Sequence, residues 1–287
     1  MFNSNELCLP LCASFVCCEV DSRKSFVPSE ESASYYAEMF LLREGKLRVS
    51  QNEEVFLASP GDAVLVCPGV SRKVEKAGEG PVRMDLIRMD PDRIPGMPAY
   101  APSLKEILTK AVREKLPMLV SAAEAREMAL PEMTGRCVRE AEELKFGFDL
   151  SIVSELGLIC SAVIRYWMSR GLVVRKKAGK ARTETVESLS GYIQEHMRDN
   201  LRVEDLADLC GMSYPWFAKK FRQAYGVNCK DFIEQIRVNQ VGKYLLFTDM
   251  GLEEISQETG YADCSHMIKN FKRITGITPG QFRLRHR

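Results

Sequence analysis

Along residues 1–100, apolar positions come in short runs broken by turn residues. The stretch "SYYAEMFLLREGKLRVSQNEEVFLASPGDAVLVCPG" is punctuated by Arg43-Glu44-Gly45, Gln51-Asn52-Glu53, Pro60-Gly61-Asp62 and Pro68-Gly69, and "VRMDLIRM" follows Gly80-Pro81. Short strands at such spacing predict a β-sandwich or barrel. Between residues 101 and 172 the apolar positions shift to helical spacing, in "SLKEILTKAVREKL", "SAAEAREMALPEMTGRCVREAEELKF" and "LSIVSELGLICSAVIRYWMSRGL". Pro131 marks a break or a helix start in the second. The third is apolar almost all round, which predicts a buried helix or a helix–helix interface. Residues 173–184 read as a polar, basic linker.

Residues 185–287 read as helices throughout. Two parts of this region repeat: "DLADLCGMSYPWFAKKFRQAYG" and "EEISQETGYADCSHMIKNFKRITG". Leu206 and Ile255 lie 49 residues apart, as do Gly211 and Gly260. Phe217 and Met267, Phe221 and Phe271, and Gly226 and Gly276 lie 50 apart. Each copy predicts a short helix, a glycine turn and a second helix, which is the helix-turn-helix plan. Ser213 and Asp263 are placed to cap the second helices, and the four glycines fall where a helix end needs positive φ.

Charge sharpens this picture. The net charge of +1 is uninformative, but the charges are sorted by element. Acids gather on the first helix of each copy ("VEDLAD", "LEEISQE"). Bases gather on the second (Lys219–Arg222, Lys269–Arg273), in "RKKAGKAR" and in the terminal "RLRHR". A helix presenting lysine and arginine suits the major groove and its phosphates. The 287 residues suffice for two domains of about 100–150 residues each. No apolar run approaches the roughly 18 residues that span a bilayer. The N-terminus lacks a basic n-region and carries Glu6, so the protein is expected in the cytoplasm, without a membrane role. Ten cysteines, densest at Cys8, Cys12, Cys17 and Cys18, match no paired zinc knuckle and read as reduced, apolar residues.

The C-terminal residues resemble the AraC/XylS family of transcriptional regulators. The resemblance rests on Ile255-Ser256, Gly260-Tyr261, Asp263, Phe271-Lys272, Gly276, Thr278-Pro279 and Phe282-Arg283. Ser256 stands where the family usually has alanine, Met267 where an aromatic is common, and Val241 where the connecting helix usually has alanine. The resemblance implies an α+β protein of two domains. An N-terminal cupin-like β-barrel with appended helices would precede an all-α domain with two helix-turn-helix motifs joined by a connecting helix. These would enter successive major grooves of double-stranded DNA. By helix position Tyr214, Pro215, Ala218 and Lys219 would face bases from the first copy, and Cys264, Ser265, Ile268 and Lys269 from the second. Arg222, Lys272 and Arg273 would hold phosphates. Trp216, Phe217, Phe221, Met267 and Phe271 read as core. The resemblance also implies RNA polymerase as a partner, activation, and dimerisation through "LSIVSELGLICSAVIRYW".

For the N-terminal half, "LREGKLRVSQNEEVFLASPGDAVLVCPGVSRKV" resembles the sensor barrels of the family. The only histidines are His196, His266 and His286, outside the barrel, so no histidine metal site is expected there, and no cofactor. No nucleophile motif, P-loop or dinucleotide fingerprint is present, and no catalytic residue is assigned. A small-molecule effector would meet Tyr36, Phe40, Phe56 and an anion-pairing Arg72; the alternative makes the aromatics core and puts Arg72 on the surface. Two other controls stay open: a protein partner docking on the barrel, or redox chemistry at Cys8–Cys18.

Overall fold

The computed structural model describes residues 15–25, 32–33, 36–52, 54–92, 94, 101–175, 186, 189–199 and 201–286. The chain forms two compact units whose main spans are Ser14–Lys180 and Ala181–Arg287.

In the first unit the short apolar runs become strands β1 (Phe15–Asp21), β2 (Ser32–Ala33), β3 (Ala37–Glu44), β4 (Leu47–Gln51), β5 (Glu54–Ala58), β6 (Ala63–Val66), β7 (Ser71–Lys76), β8 (Arg83–Met89) and β9 (Leu119–Val120). They build a five-stranded sheet in the order β1-β8-β3-β6-β9 and a four-stranded sheet in the order β2-β7-β4-β5. In β4, Leu47, Val49 and Gln51 are buried while Arg48 is exposed, the alternation of a half-covered strand. In β3, Ala37–Leu42 are buried on both faces. The reason is position: β3 lies between β8 and β6, with the second sheet on one side and helices on the other.

Helix α1 is a single turn, Ser22–Ser25, while α2 (Leu104–Arg113), α3 (Ala122–Glu127), α4 (Leu130–Glu143) and α5 (Phe148–Met168) complete the unit. Capping boxes at Ser103/Glu106 and Ser121/Glu124 start α2 and α3. Ala129, at φ 55°, turns the chain between α3 and α4, and Pro131 sits in the first turn of α4, where its missing N–H costs nothing. The Pro60-Gly61-Asp62 turn also docks a helix. Asp62 accepts from Ser59 N at 2.8 Å and from Ala122 N, the start of α3, at 2.8 Å. A Cβ on Gly61 would stand 2.7 Å from the Ala122 methyl, so only glycine fits.

The expected closed barrel is corrected to two stacked sheets. Among the described residues no strand of one sheet pairs with a strand of the other. Alternating burial tells which face of a strand is covered; it does not tell which neighbour its edge finds. Side chains bridge the gap instead. Gln51 Nε2 on β4 donates to the Leu65 carbonyl on β6 at 2.7 Å. Arg72 on β7 donates through Nε and Nη2 to Glu38 on β3, and Arg88 on β8 donates to the same carboxylate at 2.7 Å. Burial works to raise the Glu38 carboxyl, but the Arg88 and Arg72 charges and their hydrogen bonds overcome it and hold it below the usual carboxylate range.

Behind the five-stranded sheet, a small apolar cavity of about 30 Å³ separates β3, β6 and β8 from α2 and α5. Its wall includes Met39, Cys67, Met89, Leu108, Cys160 and Trp167. Burial pushes the Cys67 and Cys160 thiols up to about 12, so both are un-ionised at neutral pH.

The second unit contains α6 (Leu189–Glu195), α7 (Val203–Leu209), α8 (Tyr214–Tyr225), α9 (Cys229–Phe247), α10 (Leu252–Glu258), α11 (Cys264–Thr275) and α12 (Pro279–His286). Gly211, Gly226, Gly260 and Gly276 all take positive φ, as their places at helix ends predict. Asp263 caps α11 by accepting from His266 N at 2.7 Å. Ser213 is extended but makes no side-chain cap, a correction to the sequence reading. Pro215 removes one of the two N–H groups such a cap can serve, and the Ser213 hydroxyl accepts from neither. Among the described residues, no helix of either unit is long and apolar enough to cross a membrane.

The shared carboxylate makes a test. Glu38→Gln would leave Arg72 buried without its counter-charge, at a cost of about 3–5 kcal/mol. The sign with pH follows from the lowered folded value. Stability from Glu38 is complete above the ordinary value of 4.5 and is lost as pH falls through the folded value. Urea unfolding of the full chain is expected to show a lower midpoint for the variant at pH 7 and a flatter acid limb below pH 4.5. An unchanged midpoint would remove Glu38 from the structural account.

Candidate nucleic-acid interface

Each repeat buries one face of its second helix and leaves the opposite face bare. On α8, Phe217, Phe221 and Tyr225 are buried at successive four-residue steps. Their rings stack inward: Phe217 lies 5.6 Å from Phe221, and Phe221 lies 4.4 Å from Tyr225. Phe232 of the connecting helix α9 meets both Phe221 and Tyr225, at 5.5 and 4.6 Å. On α11, Met267, Asn270 and Phe271 are buried, and Phe271 meets Phe282 of α12 at 5.4 Å in a T-shaped contact. Leu206 and Ala207 of α7, and Ile255 and Ser256 of α10, close the two cores from the other side.

The residues singled out from the sequence sit on the bare faces. Tyr214, Pro215, Lys219 and Arg222 are exposed and Ala218 is half-buried on α8. Ser265, Lys269, Lys272 and Arg273 are exposed and Cys264 and Ile268 are half-buried on α11. Among the described residues none of Lys219, Arg222, Lys269, Lys272 and Arg273 enters an ion pair. Partial burial, with Glu253 and Asp263 nearby, pushes the Cys264 thiol up, so it offers a neutral, weak donor.

Trp216 is corrected. It was expected in the core and is 49% exposed. With Phe217 buried, its neighbour must point about 100° away around the helix. The Lys220 ammonium lies 5.1 Å and the Lys219 ammonium 6.0 Å from its ring centre, which joins the tryptophan to the basic surface.

The sequence reading missed a polar cluster behind α11. Glu234 of α9 is buried and accepts from Tyr261 Oη at 3.1 Å and from Asn270 Nδ2 at 2.7 Å. Asn270 also lies 3.0 Å from His266 Nε2. Burial first, and then the Glu234 charge, drive the Tyr261 hydroxyl far above its ordinary range, so it remains a donor. Arg237, one turn along α9, reaches the Met197 carbonyl at 3.3 Å. One signal was available. Asn270 stands 50 residues after Lys220, so the two copies differ there.

Of the four candidates for an effector, Phe40 and Arg72 are buried and Tyr36 and Phe56 are half-buried. Arg72 is paired within the protein, to Glu38. None of the four lines the cavity behind the five-stranded sheet.

A family of helix-turn-helix domains matches residues 206–285, and so takes in both helix pairs. The bifunctional transcriptional activator/DNA repair enzyme AdaA of Bacillus subtilis (strain 168) is 33% identical over 101 residues, which is 35% of this chain and 48% of the relative. The HTH-type transcriptional regulator ExsA of Pseudomonas aeruginosa is 23% identical over 247 residues, 85% of each chain. The domain at residues 206–285 is similar to the helix-turn-helix domains of AraC-type transcriptional regulators. The chain spans about half the length of AdaA. Among solved structures, ToxT from Vibrio cholerae strain SCE256, with an unsaturated fatty acid bound, matches at 13% identity and a TM-score of 0.41. That match covers 95% of this chain and 96% of ToxT. The three departures from the family pattern are all interior: Ser256, Met267 and Val241 are buried. The extra hydroxyl of Ser256 is absorbed by the Glu253 carbonyl at 2.7 Å.

The second glycine turn is the tighter of the two. A Cβ on Gly260 would lie 2.0 Å from the Met197 carbonyl oxygen, whereas one on Gly211 meets nothing within 4 Å. Gly211→Ala is expected to cost about 1–2 kcal/mol, for the left-handed backbone alone. Gly260→Ala is expected to cost clearly more, since backbone must also move. Chemical denaturation of both full-length variants followed by circular dichroism tests the order. Equal losses would mean that the Met197 contact yields freely.

Proposed function

We propose that this chain is a sequence-specific DNA-binding transcriptional regulator, an activator, whose two helix pairs enter successive major grooves. One observation carries the reading. Two helix pairs in 49–50-residue register each bury their apolar face and bare cations on the second helix that enter no ion pair among the described residues. In this reading Tyr214, Pro215, Ala218 and Lys219 meet bases from α8, and Cys264, Ser265, Ile268 and Lys269 from α11. Lysine and the tyrosine and serine hydroxyls offer hydrogen bonds to base edges; Pro215, Ala218 and Ile268 offer contact to thymine methyls. Arg222, Lys272 and Arg273 hold phosphates, which positions the protein without selecting sequence. Trp216 and Lys220 join the flank of the first helix. RNA polymerase, the partner that the resemblance implies, would receive the activating contact.

Selection of full-length protein on a random duplex library is expected to enrich two blocks about one helical turn apart. Lys219→Ala and Lys269→Ala are each expected to weaken the selected site roughly 5- to 150-fold, by ~1–3 kcal/mol, and to relax sequence preference in one block each. A uniform loss on every sequence would reassign both lysines to phosphates. No enrichment at all would defeat the reading.

The first unit, in the same proposal, makes the dimer and receives the signal. Support for the dimer lies on α5. One face packs inward through Ile152, Leu156, Ile159, Val163 and Trp167. The other exposes Leu150, Leu158 and Met168, with Gly157 open between them. A two-fold axis across that face would bury it against itself. Sedimentation is expected to give a dimer for the native chain and a monomer for Leu158→Glu; a native monomer, or a variant that stays dimeric, rejects this face. Arg72 and Arg88 sharing one carboxylate leave one positive charge in excess, which supports an anionic effector. Among thiols, Cys17 and Cys18 are buried in β1, and Cys8 and Cys12 lie outside the described residues. Control by a docking protein is favoured over thiol chemistry by a separate observation on the four-stranded sheet.

A further inference from the structure

The outer face of the four-stranded sheet is apolar along β5, charged and mostly basic on the strands behind it, and open along the β5 edge. Strand β5 pairs with β4 and, among the described residues, with no other strand, so the main-chain groups on its far side face outward. Its outward side chains, Val55 and Leu57, are 60% and 58% exposed. They stand opposite Ser50 and Arg48 of β4, which in turn stand opposite Lys73 and Glu75 of β7. Beside Leu57 a depression of about 570 Å³ is lined by Lys46, Arg48, Lys76, Ser59 and Gly78. Glu75 is paired to Lys73 at 2.7 Å. Lys46, Arg48 and Lys76 enter no ion pair among the described residues.

Proteins usually blunt an edge strand with proline, a bulge or an inward-pointing charge. β5, with the sequence EVFLA, has no proline; its inward positions are Glu54, Phe56 and Ala58, and the one charge among them, Glu54, is exposed at the strand's first position. Such an edge accepts another extended chain, which gains main-chain hydrogen bonds and fits alternate side chains to the sheet face. The charges choose the occupant. A second copy of this edge, EVFLA, would bring only one carboxylate, Glu54, to the three cations Lys46, Arg48 and Lys76. Duplex DNA would satisfy the cations but not Val55, Leu57 or the free strand edge. An extended peptide that sets both acidic and apolar residues on the face it shares with Val55, Leu57 and Arg48 satisfies all three.

From this we infer that the four-stranded sheet is a docking surface for an extended acidic–apolar segment of a partner protein, added as a strand beside β5. It rests on the partner-controlled form of the proposed function and is independent of DNA reading, since its site lies wholly in the first unit. The probe is a fluorescein-labelled eight-residue peptide of paired glutamates and valines (Glu-Glu-Val-Val twice), which shows both residue types on either face, titrated into the full chain and read by polarisation. Saturable binding is expected, weakening as salt rises. Leu57→Glu and Arg48→Glu are each expected to weaken it at least tenfold. A lysine–valine peptide, and a glutamate–valine peptide N-methylated at alternate residues, are expected to bind at least tenfold more weakly. Hydrogen exchange on the native chain gives a second reading that needs no variant: the amides of Glu54–Ala58 are expected to slow when the peptide is added. Absence of binding, equal binding by the Leu57→Glu chain, or equal binding of the N-methylated peptide would overturn the inference. Loss of non-specific duplex binding on Arg48→Glu with the peptide unaffected would also overturn it, and would make the face a nucleic-acid contact. Success or failure here leaves library selection by the second unit unchanged, so the two readings fail separately.

Discussion

Phe221 is fully buried, with Phe217, Tyr225 and Phe232 ringed around it, and that packing decides which side of α8 can meet anything else. A helix that commits aromatic residues at steps of four to one core has no rotational freedom left. Lys219 and Arg222 are exposed because Phe217 and Phe221 are not. The same constraint acts on α11 through Met267 and Phe271, with Phe282 of the last helix as the wedge. Both second helices pack on the connecting helix α9, so the geometry that a DNA duplex would meet is set by apolar burial.

The first unit handles charge differently. There, an apolar sandwich encloses a carboxylate with two guanidinium partners. Each sheet contributes to the cluster, Glu38 and Arg88 from one and Arg72 from the other, so the ion pair across the sheets is also a register mark between them. A buried ion pair seldom adds much net stability, but it penalises misalignment heavily, because a slipped strand would strand a charge.

Much of this was legible in the sequence. The 49–50-residue repeat gave both helix pairs, the glycine turns and the bare positions, because helical periodicity and positive-φ glycines are local signals. Trp216 was not legible: it lies next to Phe217, and an aromatic beside a core aromatic reads as core unless the helix phase is known to within one residue. The missing Ser213 cap was not legible either: Pro215 removes one donor, but the Trp216 N–H remained for the hydroxyl to accept from. Strand pairing between sheets was not legible, since edges are matched by the whole fold. Nor was the Glu234–Tyr261–Asn270 cluster, whose members are 27 and 36 residues apart and carry no shared period.

That cluster makes the two repeats unlike in one respect. The first second-helix is held by rings, which accept many apolar replacements of similar volume with small adjustments. The second is held in addition by directional hydrogen bonds to one buried carboxylate, where a change in any partner leaves another unsatisfied. Over evolutionary drift the apolar residues behind the first of these helices can be exchanged one at a time, whereas Glu234, Tyr261 and Asn270 must change together. Substitutions are therefore expected to accumulate behind Tyr214–Tyr225 sooner than behind Cys264–Thr275.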